Sequence, residues 1–146
     1  MFASPHASAV KAYARVGIET DIVTADPHKL ILMLFEGARL SIATAKLHMQ
    51  RNEIGPKGEA ISKAISIIDQ GLKASLDVNA GGKIAEKLYA LYEYMCRRLL
   101  LANLKNQTEI LDEVAGLLCE LNEAWNSIGK GQGSNTTVAA SKLRRV

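Results

Sequence analysis

Apolar side chains recur at intervals of three or four residues in four separate segments of this chain, and this spacing constrains the fold more than any other feature. The spacing places the apolar residues on one face of an α-helix, whereas a half-buried strand needs an interval of two. The last of the four segments carries the pattern at Leu111, Val114, Leu118, Leu121, Trp125 and Ile128. Each helix has to bury such a face against other helices, so the pattern predicts a helical bundle.

Residues that favour helix ends separate the segments. Asp26 is suited to cap a first helix that begins at Pro27, because the first turn has no use for the N–H that proline lacks. A second helix is predicted to begin after residues 55–56 (GP). It is predicted to end at residues 79–82 (NAGG), which suit a left-handed cap and a tight reversal.

Asn106, three residues before Glu109, has the form of a capping box at the start of the fourth helix. Four helices joined by short loops predict an all-α chain folded as an antiparallel four-helix bundle, because short connections make consecutive helices reverse direction. We expect the bundle over residues 26–129, an N-terminal cap segment over residues 1–25 and a disordered tail over the Gly-rich residues 130–146.

The charge distribution argues against nucleic acid as a partner. The formal net charge is +3, but four of the 18 Lys and Arg residues fall in the acid-free tail, which leaves 14 basic against 15 acidic residues in the rest of the chain. Phosphate binding needs a basic face, which a neutral body does not supply. The sequence shows neither a signal-peptide pattern nor an uncharged stretch of about 18 residues, so we expect a cytoplasmic protein that does not enter a membrane.

No catalytic, metal or cofactor site emerges from the residue pattern. His6, His28 and His48 lack the histidine or carboxylate three or four residues away that builds metal sites in helical bundles. Cys96 and Cys119 fall on apolar helical stripes and are interpreted as buried thiols in a reducing compartment. We therefore expect a protein that is not an enzyme and that binds no metal or cofactor.

The third segment, residues 83–104, carries more apolar surface than one core face can use. Its core face is predicted to hold Ala85, Leu88, Tyr92, Met95, Leu99 and Ala102. Beside this face lies a second row made of Tyr89, Cys96 and Leu100. Because soluble monomers seldom leave large apolar patches exposed without using them for a partner, the second row predicts a binding surface.

Other candidate partner-binding residues lie on the first two helices. Met33 and Leu40 are candidates on the first helix, and Ile67, Gly71 and Ala74 form a shallow row on the second. The small residues of that row allow either close helix packing or a groove for a visiting chain. In contrast, Tyr92 and Trp125 repeat in phase with core faces, so we expect both to be core residues.

Several sequence stretches, in order along residues 10–128, closely resemble the flagellar export chaperone FliS family. They are residues 10–13 (VKAY), 24–37 (TADPHKLILMLFEG), 57–59 (KGE), 63–65 (KAI), 68–69 (ID), 88–95 (LYALYEYM), 97–99 (RRL) and 123–125 (EAW). The resemblance implies a four-helix-bundle chaperone of the bacterial cytoplasm. Such a chaperone binds the disordered C-terminal region of flagellin, prevents premature polymerisation and delivers flagellin to the flagellar type III export apparatus.

The resemblance also implies a role for the N-terminal segment. In the family, an Ile-x-x-Tyr motif is linked to a segment folded over the binding groove and to docking on the export gate protein FlhA. Val10 and Tyr13 hold those two positions here. Valine in place of isoleucine removes one methylene-sized contact, which weakens the motif without abolishing it.

A second interpretation stays open on the residues alone. The extra apolar surface could belong to a homodimeric helical-bundle adaptor that binds another helical partner, such as an anti-sigma factor or a co-chaperone.

Overall fold

The computed structural model describes residues 26–131, with side chains for residues 26–129. Within that range the chain forms α-helices and no strand, which confirms the predicted all-α four-helix bundle. The helices are α1 (Pro27–Gln50), α2 (Ile54–Ser66), α3 (Val78–Lys105) and α4 (Thr108–Gly131), and α2 runs directly into a π-helical segment, Ile67–Lys73. The cap segment, and the predicted tail beyond Gly131, lie outside the described residues and stay predictions.

Polar contacts at both ends of the bundle show that neighbouring helices run in opposite directions. Near the end of α1 and the start of α4, Lys46 Nζ donates to Asp112 Oδ1 at 2.8 Å. Near the start of α1 and the end of α4, Trp125 Nε1 donates to the carbonyl oxygen of His28 at 2.9 Å. α1 and α3 occupy opposite corners, because each of them packs against both α2 and α4.

The core is built from the predicted apolar faces. Its fully buried large side chains include Leu34, Ile61, Met95, Leu99 and Leu118, with contributions from every helix. Burial of one such side chain contributes about 1.5–3 kcal/mol to folding. The faces are less well covered at one end of the bundle, where Ile31, Leu88 and Trp125 are only half-buried. The prediction that Trp125 is a core residue is therefore only partly met.

The first predicted helix start is confirmed. The Asp26 side chain accepts a hydrogen bond from the Lys29 N–H at 2.7 Å, and Pro27 is the first helical residue. The second helix begins earlier than predicted, at Ile54, so Pro56 lies inside the first turn. Proline is tolerated there because the N–H groups of the first turn have no partner within the helix.

The predicted capping role of Asn106 is wrong. Asn106 adopts a left-handed conformation (φ 54°, ψ 45°) and ends α3, and α4 begins two residues later at Thr108. Asparagine is favoured both as an N-cap and in the left-handed position that ends a helix, so its presence does not distinguish the two. Here Lys57 Nζ donates to Asn106 Oδ1 at 2.5 Å, so the side-chain oxygen that an N-cap would use is bonded to the lysine instead.

The second helix ends before the predicted residues 79–82, although this run does contain the expected glycine with a positive φ. The chain reverses earlier, because the π-helical segment ends at Lys73 and α3 begins at Val78. The Asp77 side chain caps α3 by accepting from the Ala80 N–H at 3.0 Å. Gly82, with φ 60° and ψ −139°, then interrupts the helix, a conformation that glycine adopts without a steric penalty. The NAGG run therefore belongs to a kinked first turn of α3.

Candidate partner-binding site

A cavity of about 680 Å³ lies at the end of the bundle where α1 begins and α4 ends. The start of α1 and the end of α4 form two of its walls, and the turn between the π-helical segment and α3 forms a third. Its lining includes Ile31 and Phe35 from α1, Leu76 from the turn, Ile84, Leu88 and Tyr92 from α3, and Leu121, Trp125 and Ile128 from α4. An apolar cavity of this size with a few polar groups is typical of a binding site.

Trp125 and His28 form one wall of the cavity. Their rings are stacked, with centroids 5.1 Å apart and an angle of 14° between the planes. The indole N–H of Trp125 also donates to the His28 carbonyl, so the two residues are joined by a hydrogen bond as well as by ring stacking. Gly129 lies directly against the imidazole, where a Cβ atom would clash with the ring. The wall is thus held together by a stacking contact and a hydrogen bond.

The second row on α3 lies along the side that faces α2. Tyr89 is 39% exposed, and the Lys73 ammonium sits 4.9 Å from the centre of its ring. Cys96 is half-buried, with its sulfur 3.9 Å from the Ile65 carbonyl oxygen. Leu100 is 58% exposed and lies about 16 Å further along the helix than Tyr89. This row is the part of the predicted surface that the structure does bring together.

Two predicted site residues are not exposed in this structure. Ile67 is fully buried, and Gly71 is buried so closely against Leu34 that a Cβ would come within 2.9 Å of the leucine Cδ2. Close packing, rather than a groove, therefore explains the small residue at position 71. A role in partner binding for Ile67 and Gly71 stays a prediction, although neither offers surface to a partner in this conformation.

The remaining predicted residues do not complete a single surface. Ala74 is exposed at the end of the π-helical segment. Met33 is half-buried and Leu40 is 69% exposed, but both lie on α1, at the opposite corner of the bundle from the row on α3. Val10 and Tyr13 lie outside the described residues.

Lys73, beside the row, is paired with two acidic residues. Lys73 Nζ lies 2.6 Å from Asp69 Oδ1 and 3.7 Å from Glu93 Oε2, and the hydrogen bond to Asp69 raises the pKa of the lysine. Burial raises the pKa of the Cys96 thiol to about 11, so it stays protonated at neutral pH. Both cysteines are free thiols, but Cys96 and Cys119 are half-buried rather than buried as predicted.

A second charged group lies on the other side of α3. Arg98 Nε donates to Glu113 Oε1 at 2.8 Å, and the Tyr94 hydroxyl donates to the other oxygen of the same carboxylate. These two hydrogen bonds lower the pKa of Glu113, with the larger effect from Tyr94. Arg98 therefore ties α3 to α4.

The described residues hold no group of three or more His, Cys, Asp or Glu side chains that could bind a metal ion. No helix in residues 26–131 combines the length and the apolar character that crossing a membrane requires. What the arrangement offers is an apolar cavity and a neighbouring row of partly exposed apolar side chains. Sequence reasoning found the row from its helical position but missed the cavity, because Trp125, Leu88 and Ile31 have the same phase as core residues.

Comparison with known proteins shows which family this chain belongs to. The family described as flagellar protein FliS matches residues 9–132. The chain is 52% identical over 122 residues to the flagellar secretion chaperone FliS of Salmonella typhimurium, covering 84% of this chain and 90% of that protein. It is 45% identical over 120 residues to the flagellar secretion chaperone FliSB of Pseudomonas aeruginosa (82% and 94% covered) and 41% identical over 119 residues to FliS of Escherichia coli (82% and 88%). This chain therefore belongs to the FliS family, a family of chaperones in flagellar export and not of enzymes.

Proposed function

We propose that this protein binds the disordered C-terminal region of flagellin in the cytoplasm, prevents its premature polymerisation and delivers it to the flagellar type III export apparatus. The observation that carries the proposal is the apolar cavity at the end of the bundle, open beside Trp125 and His28. A chaperone that holds an export substrate needs an apolar surface that the substrate can bury. The family membership supplies the link to flagellar export.

The binding step combines folding of the cargo with burial of apolar surface. A disordered segment that folds onto a bundle as short helices and extended pieces typically buries ~1,000–3,000 Å². The cavity accounts for one docking point. The row of Tyr89, Cys96 and Leu100 extends the contact along α3.

The N-terminal segment is proposed to cover this site in the free protein. Residues 1–25 lead directly into Asp26 and Pro27, and Pro27 itself lines the cavity. Val10 and Tyr13 are the residues of that segment proposed to hold the cover closed and, once it is displaced, to dock on the export gate protein FlhA. A cover lowers the apparent cargo affinity in proportion to the small open fraction, so its removal strengthens or speeds binding.

Calorimetric titration with a recombinant C-terminal fragment of flagellin tests the proposal. We expect a 1:1 complex whose enthalpy of binding becomes more negative as the temperature rises, because burial of apolar surface gives a negative heat-capacity change. Absence of binding at about 50 µM, where even a weak complex would form, would contradict the proposed function.

A second candidate function is that of a homodimeric adaptor for another helical partner, such as an anti-sigma factor or a co-chaperone. The observation in its favour is that Leu104 (78% exposed), Ile54 and Leu40 project into solvent away from the cavity. Sedimentation of the protein alone separates the two candidates. A dimer that Leu104→Ser or Leu40→Ser disrupts favours the adaptor, and a monomer at all concentrations favours the flagellin chaperone.

A further inference from the structure

Tyr92 is a buried tyrosine whose hydroxyl has no hydrogen-bond partner among the described residues. Only 3% of the residue is exposed, and burial alone raises the pKa of the phenol far above its usual value. Buried tyrosine hydroxyls nearly always find a partner, because leaving one unpaired costs free energy. The unpaired hydroxyl therefore needs an explanation.

The position of Tyr92 on α3 directs its side chain toward the cavity. Side chains on an α-helix lean toward the N-terminus of the helix. The cavity lies at the N-terminal end of α3, where Ile84 and Leu88 line it, and Tyr92 lines it one turn further along. Tyr92 is therefore a lining residue of the cavity, and the hydroxyl is the one polar atom that its side chain has to offer an occupant.

Three other polar side chains around the cavity, those of Ser75, Asp77 and Trp125, already have hydrogen-bond partners. The Ser75 hydroxyl donates to a carbonyl of the π-helical segment at 2.7 Å, and the Asp77 carboxylate accepts the backbone N–H that it caps. The Trp125 indole donates to the His28 carbonyl, and the His28 ring is stacked on the indole. The His28 imidazole is half-buried, whereas Tyr92 is almost fully buried, so Tyr92 offers an occupant a hydrogen-bonding group that water does not already satisfy.

A peptide segment that enters an apolar cavity has the complementary need. Its apolar side chains gain from burial, but its backbone carbonyl groups lose water and must find a donor. We propose that the Tyr92 hydroxyl donates a hydrogen bond to a backbone carbonyl of the apolar cargo segment that enters the cavity, and so fixes the register of that segment. This inference rests on the proposed function and adds a specificity-determining residue to it.

The substitution Tyr92→Phe tests the inference, because it removes the hydroxyl and keeps the ring. We expect the affinity for the flagellin C-terminal fragment to fall about 3- to 10-fold, the range that corresponds to the loss of one hydrogen bond. We expect the Tm of the free protein to be equal to or higher than that of the parent, since an unpaired buried hydroxyl has been removed.

Tyr94→Phe is the matched control. It makes the same chemical change on the same helix, but the Tyr94 hydroxyl donates to Glu113 and Tyr94 does not line the cavity. This variant should lose stability and keep its cargo affinity, the opposite of the result expected for Tyr92→Phe.

The possible outcomes separate the inference from the proposed function. If the parent protein does not bind the fragment, the proposed function fails and the inference fails with it. If the parent binds and Tyr92→Phe binds equally well, the inference alone is overturned. A Tyr92→Phe protein with a lowered Tm would also overturn it, because the hydroxyl would then be bonded within the free protein.

Discussion

At the residue scale, a glycine in α2 and a glycine in the π-helical segment differ in how much space surrounds them. Gly71 packs against Leu34, and a Cβ there would meet the leucine side chain. Gly58 has nothing within 4 Å of the position that a Cβ would take. The same substitution therefore tests two different effects, steric crowding of the core at one site and backbone entropy at the other.

We expect Gly71→Ala to destabilise the protein by about 1–3 kcal/mol, because the extra methyl group overpacks a core side chain. Gly58→Ala should instead stabilise it by about 0.5–1 kcal/mol, since alanine restricts the unfolded chain and favours the helix. Urea denaturation measures both. Equal effects of the two substitutions would mean that Gly71 is not in close contact with Leu34.

Tyr89 tests the row on α3. Because Tyr89 is partly exposed, Tyr89→Ser should weaken binding of the flagellin fragment and leave the Tm within a few degrees of the parent value. Leu118→Ala, which opens a cavity in the fully buried core, should cost about 2–5 kcal/mol. A Tyr89→Ser protein that is as unstable as Leu118→Ala would show that Tyr89 is structural.

At the scale of the elements, Lys57 joins the start of α2 to the end of α3. The lysine is almost fully buried, and its ammonium donates to the Asn103 carbonyl at 3.0 Å and to the Asn106 side chain. The last carbonyl groups of a helix have no partner within it, and a cation there also complements the helix dipole. Lys57 thus caps α3 from a neighbouring helix.

Lys57→Met should therefore cost about 1–3 kcal/mol, because it removes the two hydrogen bonds that the buried ammonium donates to the end of α3. Lys63→Met changes an exposed lysine of the same helix and should stay within about 0.5 kcal/mol of the parent. Thermal and chemical denaturation provide the comparison. Equal stabilities would contradict the capping role.

The link between α3 and α4 predicts a dependence on pH. The pKa of Glu113 is lowered in the folded protein, so the folded state binds fewer protons than the unfolded state as the carboxylate titrates. The stability that Glu113 contributes is present at neutral pH and is lost as the pH falls below about 4.5, through the folded pKa. Denaturation between about pH 6 and pH 3 should show a steeper loss for the parent than for Glu113→Gln. Parallel curves would argue against this link.

At the scale of the whole molecule, the apolar periodicity predicted the features that depend only on which face of each helix is buried. The apolar spacing located four helices and most of their core residues, because burial of one face is the main force that selects the pattern. Asp26 and Pro27 also marked the first helix start correctly. These features follow from local residue type and spacing.

Features that depend on the relation between elements were not predictable. Nothing in the apolar spacing distinguishes the π-helical Ile67–Lys73 from an α-helix. From its residue type Asn106 could end α3 or begin α4, and the contact with Lys57 that accompanies the first role is not visible in the sequence. The cavity was missed for the same reason, since Trp125 has the phase of a core residue and only the three-dimensional arrangement shows that space remains next to it.

The central claim is that cargo enters the cavity at the end of the bundle. Trp125 is the only tryptophan in the chain and lines that cavity, so its indole N–H gives one NMR signal from the site. On titration with the flagellin C-terminal fragment, we expect this signal to shift and to saturate at one equivalent. A complex that forms by calorimetry while the Trp125 signal stays unchanged would contradict the claim.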